Sequence, residues 1–265
     1  MREMRIAEVE ARLKTSFVGK PIVYYPQVSS TNEVAKQLAR EGAAEGTVVL
    51  AETQTSGHGR LRRKWFSPKG GLWFSLILHP KLEPTRLPQL TFMTAAATAK
   101  TIKDMYGLKA GIKWPNDVLV NRRKVCGILT EGCMINGKVK FAVVGVGVNA
   151  NINLEELPLT VRKRATSLKK ELGKPVSREE LLCRLLLRME NAYLTLQREG
   201  FSPILEEVRS LSVFLGERVK IASFGECFVG LAENLDGDGA LIVRLENGTR
   251  RKVVVGDLEV LSLEP

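Results

Sequence analysis

After Ser30-Thr31-Asn32-Glu33 the apolar residues Val34, Ala35, Leu38 and Ala39 recur every three to four positions, so they share one helix face. The spacing predicts a helix opening at Ser30, with Ser30 and Glu33 in capping-box positions and Gly42 as its stop. TVVLAETQ (47–54) predicts a strand, and GLWFSLILHP (71–80) a near-continuous apolar strand closed by Pro80. Residues 87–107 predict a helix rich in small residues, suited to close packing on a sheet. GIKWPNDVLV (111–120) and RKVCGILTEGCMI (123–135) predict two strands joined by a turn near Asn121. Asn136-Gly137 then marks a hairpin into a strand over 138–152. The clearest helix spans 177–200: Ser177 and Glu180 form a second capping box, Leu181, Leu185, Met189 and Tyr193 line one face, and Gly200 ends it. A further short helix and a linker occupy 201–211.

From residue 212 the pattern changes. GERVKIAS, CFVGLAEN, ALIVRLE and RRKVVVGDLEV are short apolar-polar stretches separated by glycine turns, the rhythm of a small β-barrel or sandwich. A mixed helix-and-strand domain over 1–211 and an all-β domain over 212–265 are therefore expected.

Composition narrows the chemistry. With 44% apolar residues in 265, a sizeable core can form. No apolar run approaches the ~18–20 residues of a membrane helix, and MREMRIAEVEARLK lacks an apolar signal core, so no membrane partner and a cytoplasmic location are expected. Cys126, Cys133, Cys183 and Cys227 form no C-x-x-C pair and only two histidines are present, which favours reduced thiols over a zinc site. The net charge of +11 points to an anionic partner: nucleic acid, nucleotide or acidic protein.

Several motif matches are decoys. Gly145-Val146-Gly147-Val148-Asn149-Ala150 fits a dinucleotide pattern, but the asparagines and Pro158 that follow suit no helix. The better reading is a strand whose glycines admit close approach to its backbone. Ser167-Leu168-Lys169-Lys170 is an isolated S-x-x-K, and Asp236–Gly239 reads as a turn.

The loop TSGHGRLRRKW (55–65) is different. Its glycines and four cations have the composition of an anion nest, and Trp65-Phe66 anchor it to the core. A solvated basic turn, a nucleic-acid grip and a flap over a phosphate all remain open on that loop alone. Lys113-Trp114-Pro115-Asn116-Asp117 sets polar groups beside a large aromatic, either as an irregular strand or as a turn between strands. Arg123-Lys124 puts a cation at the mouth of an apolar strand. Together the three pieces suit a nucleotide-using enzyme, with cations on a triphosphate and Asp117 toward Mg2+.

These blocks, taken in order, resemble the biotin protein ligase family (biotin–[acetyl-CoA-carboxylase] ligases). The likeness rests on Ser30-Thr31-Asn32, Glu52-Thr53-Gln54, Gly57-His58-Gly59-Arg60, Arg63-Lys64-Trp65, Lys113–Asp117, Arg123–Leu129, Gly145–Asn149 and Ala165–Leu168. The resemblance implies an α+β fold: a mixed β-sheet catalytic domain flanked by helices, of the class II aminoacyl-tRNA synthetase/biotin ligase type, and an SH3-like C-terminal β-barrel. It implies that ATP activates biotin to biotinyl-5′-AMP, which is passed to a lysine of a biotin carboxyl carrier protein.

By the same resemblance, Arg60, Lys124 and Lys113 are the catalytic candidates. Ser30, Thr31, Asn32, Gln54, Gly57, His58, Gly59, Trp65, Gly127, Gly145 and Gly147 would join Arg60 and Lys124 around biotin. Arg63, Trp65, Lys113, Asn116, Asp117 and Asn149 would join them around ATP, with Mg2+ at Asp117. A homodimer is expected from the family. Too few residues precede the match for the helix-turn-helix domain that many members carry, so no specific DNA binding is expected. Two departures stand out: His58 where an arginine is common, and Arg62 where a glycine is common. The rivals are a lipoate–protein ligase of the same fold and a basic nucleic-acid-binding protein.

Overall fold

Strand β3 (Leu72–Leu78) is buried at all seven positions and organises the molecule, whose computed structural model describes residues 3–261. Before it come α1 (Ile6–Arg12), β1 (Ile22–Val28), α2 (Thr31–Arg40) and β2 (Val48–Gln54). After it come α3 (Pro88–Tyr106), β4 (Ala110–Lys113), β5 (Asp117–Val120), β6 (Arg123–Ile135) and β7 (Lys138–Val148). Short helices α4 (Leu159–Arg162) and α5 (Leu168–Leu172) lead to α6 (Arg178–Glu199) and α7 (Ser202–Leu211). The chain ends in β8 (Arg218–Ser223), β9 (Glu226–Leu235), β10 (Leu241–Arg244), β11 (Arg250–Val253) and β12 (Asp257–Val260).

The large sheet runs β1-β2-β3-β7-β6-β5-β4, with β1 and β2 parallel and the other neighbours antiparallel. This is the expected mixed sheet. Its two faces differ because side chains alternate along a strand. Leu72, Phe74, Leu76 and Leu78 join the main core with α3, α6 and α7 residues such as Met93, Leu185 and Val208. The opposite face carries Trp73, Ser75 and Ile77, and only part of it is covered by α2, through Ala35 and Ala39 against Val49, Ile77 and Val143. Beyond α2 that face is pared to glycine. Gly145 lies opposite Ser75 and Leu129, and Gly147 opposite Trp73 and Gly127. A hollow on the sheet is the result.

Three local expectations change. The stretch 111–120 is two strands: Lys113 pairs with Asp117 across a tight turn that holds Trp114, Pro115 and Asn116. Pro115 cannot donate to a ladder, so the chain reverses there. Ser30 precedes α2 without a side-chain cap; the Thr31 N–H is taken by Gln54 Oε1 at 2.8 Å instead. The last stretch, RRKVVVGDLEV, breaks at 254–256 into β11 and β12. The predicted turn near Asn121 is present, and Asn121 and Arg122 both have positive φ, as a two-residue type I′ hairpin requires. Ser177 does cap α6, accepting from the Glu180 N–H at 3.2 Å.

The five C-terminal strands form a separate antiparallel sheet, β11-β10-β9-β8-β12. Its apolar face is continuous with the main core through Phe214, Val219 and Leu241. Two hydrogen bonds lock it to the large sheet: Val213 N–H to Ile112 O (3.0 Å) and the buried Trp114 indole N–H to Gly239 O (3.1 Å). This fixed placement brings the β11–β12 turn to the hollow on the large sheet.

Candidate active site

The hollow is a cavity of about 370 Å³. Its floor is Gly127, Gly145 and Gly147, and here glycine is a steric requirement. A Cβ on Gly147 would stand 2.7 Å from Trp65 Nε1, and one on Gly145 2.2 Å from Asn32 Oδ1. Two larger clefts, of about 610 and 680 Å³, lie among α3, α6 and α7 and hold none of the sequence-predicted site residues.

One end of the cavity is a polar network. Gln54 Oε1 accepts from the Thr31 N–H and, at 3.1 Å, from the Thr31 hydroxyl. Gln54 Nε2 donates to Ser67 Oγ at 2.7 Å. The buried Ser75 hydroxyl sits 2.7 Å from Thr31 Oγ1 and 2.6 Å from Asn32 Oδ1, and Asn32 Nδ2 donates to Glu131 Oε2 at 2.7 Å. Ser30 lines the same wall. Burial acts to raise the Glu131 pKa, but hydrogen bonds from Asn32 and Lys36 outweigh it and hold the carboxyl below its usual range.

The basic loop closes one side. His58 bridges to Lys64 and Gln54 to Ser67, so the loop is a short flap rooted on β2. Gly57 allows it to close, since a Cβ there would meet Trp65 O at 2.7 Å. The flap tip is strained: Leu61 and Arg62 have φ of 52° and 54°, the left-handed region. Left-handed backbone of this kind favours glycine, the residue that the resemblance leads one to expect at position 62. Arg62→Gly should stabilise the fold by up to about 1 kcal/mol by removing this conformational cost, and a urea midpoint that falls instead would contradict it.

Arg60 turns inward, donating to Asn116 Oδ1 (3.3 Å) and to Gly256 O (2.9 Å). Burial pushes its pKa down, while Asp257 and Asp117 counter that. Arg63 Nη1 donates to Asp257 Oδ1 at 3.0 Å, a bond that raises the arginine's pKa. Lys124 Nζ lies 2.6 Å from Asp117 Oδ1, an ion pair without hydrogen-bond direction, and 5.0 Å from the centre of the Trp65 ring. Among the described residues the buried Trp65 indole N–H has no hydrogen-bond partner. Asn116 Nδ2 donates to Ile128 O at 2.9 Å, and Asn149 Nδ2 to Thr166 O at 2.9 Å, so both amides also brace the walls.

Sixteen of the eighteen sequence-predicted site residues line this one cavity; the exceptions are Gly57 and Lys113. Gly57 stands behind the flap, packed against Trp65 and Ser67. Lys113 sits beside Asp117 in the hairpin, where burial pushes its ammonium pKa down. His58 faces the polar end, with Nε2 3.9 Å from Glu33 and 3.8 Å from Glu131. Although these three groups cluster within 4.8 Å, the Lys36 ammonium already bridges Glu33 (2.6 Å) and Glu131 (3.2 Å), so the arrangement is an ion-pair network.

Sequence reasoning missed Ser75, Glu131, Arg164 and Asp257. Ser75 had a signal, as the one hydroxyl inside an apolar strand. Asp257 had none, because it arrives from the C-terminal sheet. The lining contains five cations (Arg60, Arg63, Lys64, Lys124, Arg164) against two carboxylates (Asp117, Asp257), so the cavity favours an anion.

Residues 24–149 match the Biotin/lipoate A/B protein ligase family, and residues 214–261 the Biotin protein ligase C terminal domain. The bifunctional ligase/repressor BirA of Bacillus subtilis is 34% identical over 255 residues, covering 96% of this chain and 78% of that protein. The biotin–[acetyl-CoA-carboxylase] ligase of Paracoccus denitrificans is 36% identical over 230 residues, covering 82% and 92%. The biotin protein ligase of Aquifex aeolicus, solved with biotin and ATP, superposes with a TM-score of 0.79 at 31% identity, covering 91% of this chain and 98% of that one. The chain belongs to the biotin protein ligase family.

Proposed function

We propose that the protein activates biotin with ATP to biotinyl-5′-AMP and transfers the biotinyl group to a lysine of a biotin carboxyl carrier protein. The single observation that carries this reading is the cavity's division. One end is a network of directed hydrogen-bonding groups, and the other gathers Arg60, Arg63 and Lys124. A ureido ring, with two N–H donors and one carbonyl acceptor, suits Thr31, Asn32, Gln54 and Ser75. Ser30, His58 and Gly59 complete that wall. Gly127, Gly145 and Gly147 let the ligand lie against the backbone.

The first step must bring two anions together. A carboxylate oxygen of biotin attacks the α-phosphorus of ATP. An O–P bond forms, the P–O bond to pyrophosphate breaks, and pyrophosphate leaves with the electron pair. Arg60 and Lys124 neutralise the approaching charges; at an effective dielectric near 20, a pair ~4 Å apart contributes about 4 kcal/mol. Before the anions arrive these cations rest on Asn116, Gly256 O and Asp117, within the same walls. In the second step the lysine amine attacks the acyl carbon. A C–N bond forms, the C–O bond to AMP breaks, and the amine's proton passes to solvent.

Asn116, Asn149, Arg63 and Trp65 are assigned to the nucleotide, with Lys113 adding positive charge behind Asp117. Of the carboxylates lining the cavity, Asp257 is engaged by Arg63 and Asp117 by Lys124. Asp117 would be the residue to hold Mg2+, which would add positive charge against the phosphates. The same proposal includes an SH3-like C-terminal unit, a homodimer and a cytoplasmic setting; four unpaired cysteines suit a reducing compartment.

The test is biotin-dependent exchange of labelled pyrophosphate into ATP. Exchange should require biotin and be unaffected by a large excess of lipoate, whose dithiolane offers no N–H or carbonyl to the polar end. Exchange without biotin, or with lipoate in its place, would defeat the reading.

A further inference from the structure

Several large apolar side chains are exposed around the mouth of the cavity. Phe224 is 90% exposed, Leu61 71%, Val254 62% and Val255 45%, and Leu159 is also exposed. Each lies near a group that lines the cavity. Leu61 follows Arg60, Leu159 precedes Thr160, and Val254-Val255 lead into Gly256 and Asp257. Phe224 is tied to the same place, because Ser223 Oγ donates to Val255 O at 2.5 Å and Ala222 pairs with Asp257. The β8–β9 and β11–β12 turns therefore stand side by side. They form one apolar ledge whose inner edge is the Gly256 carbonyl that receives Arg60.

This ledge does no work for the small-molecule step, since none of Phe224, Val254 and Val255 lines the cavity. Nor does it serve the core, being turned to solvent. Cations flank it: Arg62 and Lys163 are exposed and enter no ion pair among the described residues, and the Arg164 side chain, 85% exposed, lies 3.7 Å from Glu259. An apolar ledge with a cationic border at a catalytic mouth fits a folded partner with an acidic rim around an apolar spot.

We propose that the turns at 223–225 and 254–255, with Leu61, dock the carrier domain through an acidic rim on its surface and aim its lysine into the cavity. This inference rests on the ligase reading and adds to it the surface by which the second substrate is recognised. Phe224 is the anchor. A large aromatic held out from a tight turn at φ 50° carries a strained backbone for a solvent-exposed residue, and a docking role accounts for that arrangement.

The test uses the full chain with Phe224→Asn and Val254→Ser. Asn tolerates positive φ, so the first variant should fold as well as the parent. Biotin-dependent pyrophosphate exchange should be unchanged in both, as should release of biotinyl-AMP to hydroxylamine, a small acceptor that needs no docking. Transfer to a purified carrier domain should lose about tenfold or more in kcat/KM, mainly through KM. Unchanged carrier transfer would overturn the proposal, and so would a parallel loss of exchange, which would make the turns part of the small-molecule site. Loss of a concentration-dependent dimer in the variants, or of sedimentation with anionic phosphatidylglycerol vesicles, would assign the ledge to another occupant and overturn it too. If the parent chain shows no biotin-dependent exchange, the ligase reading itself fails, and that outcome is separate from the others.

Discussion

Arg60→Ala should slow biotin-dependent pyrophosphate exchange by about 10²–10³-fold, the loss that follows removal of one preorganised donor to a developing charge. Three elements hold this guanidinium before any ligand arrives. The flap supplies it, the hairpin turn at Asn116 receives one bond, and Gly256 of the C-terminal sheet receives the other. Little reorganisation is needed when the anions enter, so the charge acts at nearly full strength in a partly dry site. Arg60→Lys should recover only part of the rate, because an ammonium cannot reach two acceptors in a planar fork. Arg62, two residues on, is exposed, and its change to alanine should leave exchange within about threefold of the parent. Equal losses at 60 and 62 would mean that the loop acts through net charge alone, and the assignment of Arg60 would fall. A thermal melt of each variant separates this from simple unfolding.

That contrast between neighbours was only partly legible in the sequence. The composition of 55–65 left a basic turn, a nucleic-acid grip and an anion-binding flap open, and the likeness to biotin protein ligases singled out Arg60. What composition could not show is direction. Arg60 points inward because Leu61 and Arg62 adopt left-handed backbone and reverse the chain at the tip. The alternation Gly145-Val146-Gly147-Val148 was legible for a simpler reason. In a strand of period two, alternating glycine and valine means one face stripped and the other packed, and the hollow follows directly. Helix α6 was equally readable, since its cap, its apolar face and its terminal glycine agree. The turn at Lys113–Asp117 admitted two readings, and the pairing of those two residues decides for the hairpin. Glu131 and Asp257 stayed hidden. Their roles come from partners about a hundred and two hundred residues away in the chain, Asn32 and Arg63, which only the folded sheets bring near.

The same long-range dependence governs stability, and Arg178→Ala should lower it by about 3–5 kcal/mol, the loss expected when one member of a buried ion pair is left alone. Arg178 opens α6, where the helix macrodipole disfavours a cation. It is tolerated because its guanidinium grips Glu52 with two bonds, of 2.7 and 3.2 Å, and donates a third to Gly71 O at 3.1 Å. The two side chains are 5% and 3% exposed, so water cannot replace either partner. Glu52 also accepts the Met4 N–H at 2.7 Å, and burial together with its charge pushes the Tyr24 phenol up to about 12. Removing the arginine leaves a carboxylate facing a phenol, a carbonyl and one amide. The melting temperature should fall by roughly 10 °C for a chain of this size. The double variant Glu52→Gln/Arg178→Met should recover much of the loss, because it removes the stranded charge along with the pair. A single variant within 1 kcal/mol of the parent would show that the pair does not hold α6 to β2. Glu52 lies two residues before Gln54 on the same strand, so a loosened pair would reach the polar end of the cavity through the backbone. Biotin affinity should therefore weaken in Arg178→Ala while the Arg60-dependent exchange rate at saturating biotin stays close to that of the parent, which separates holding the site from performing its chemistry.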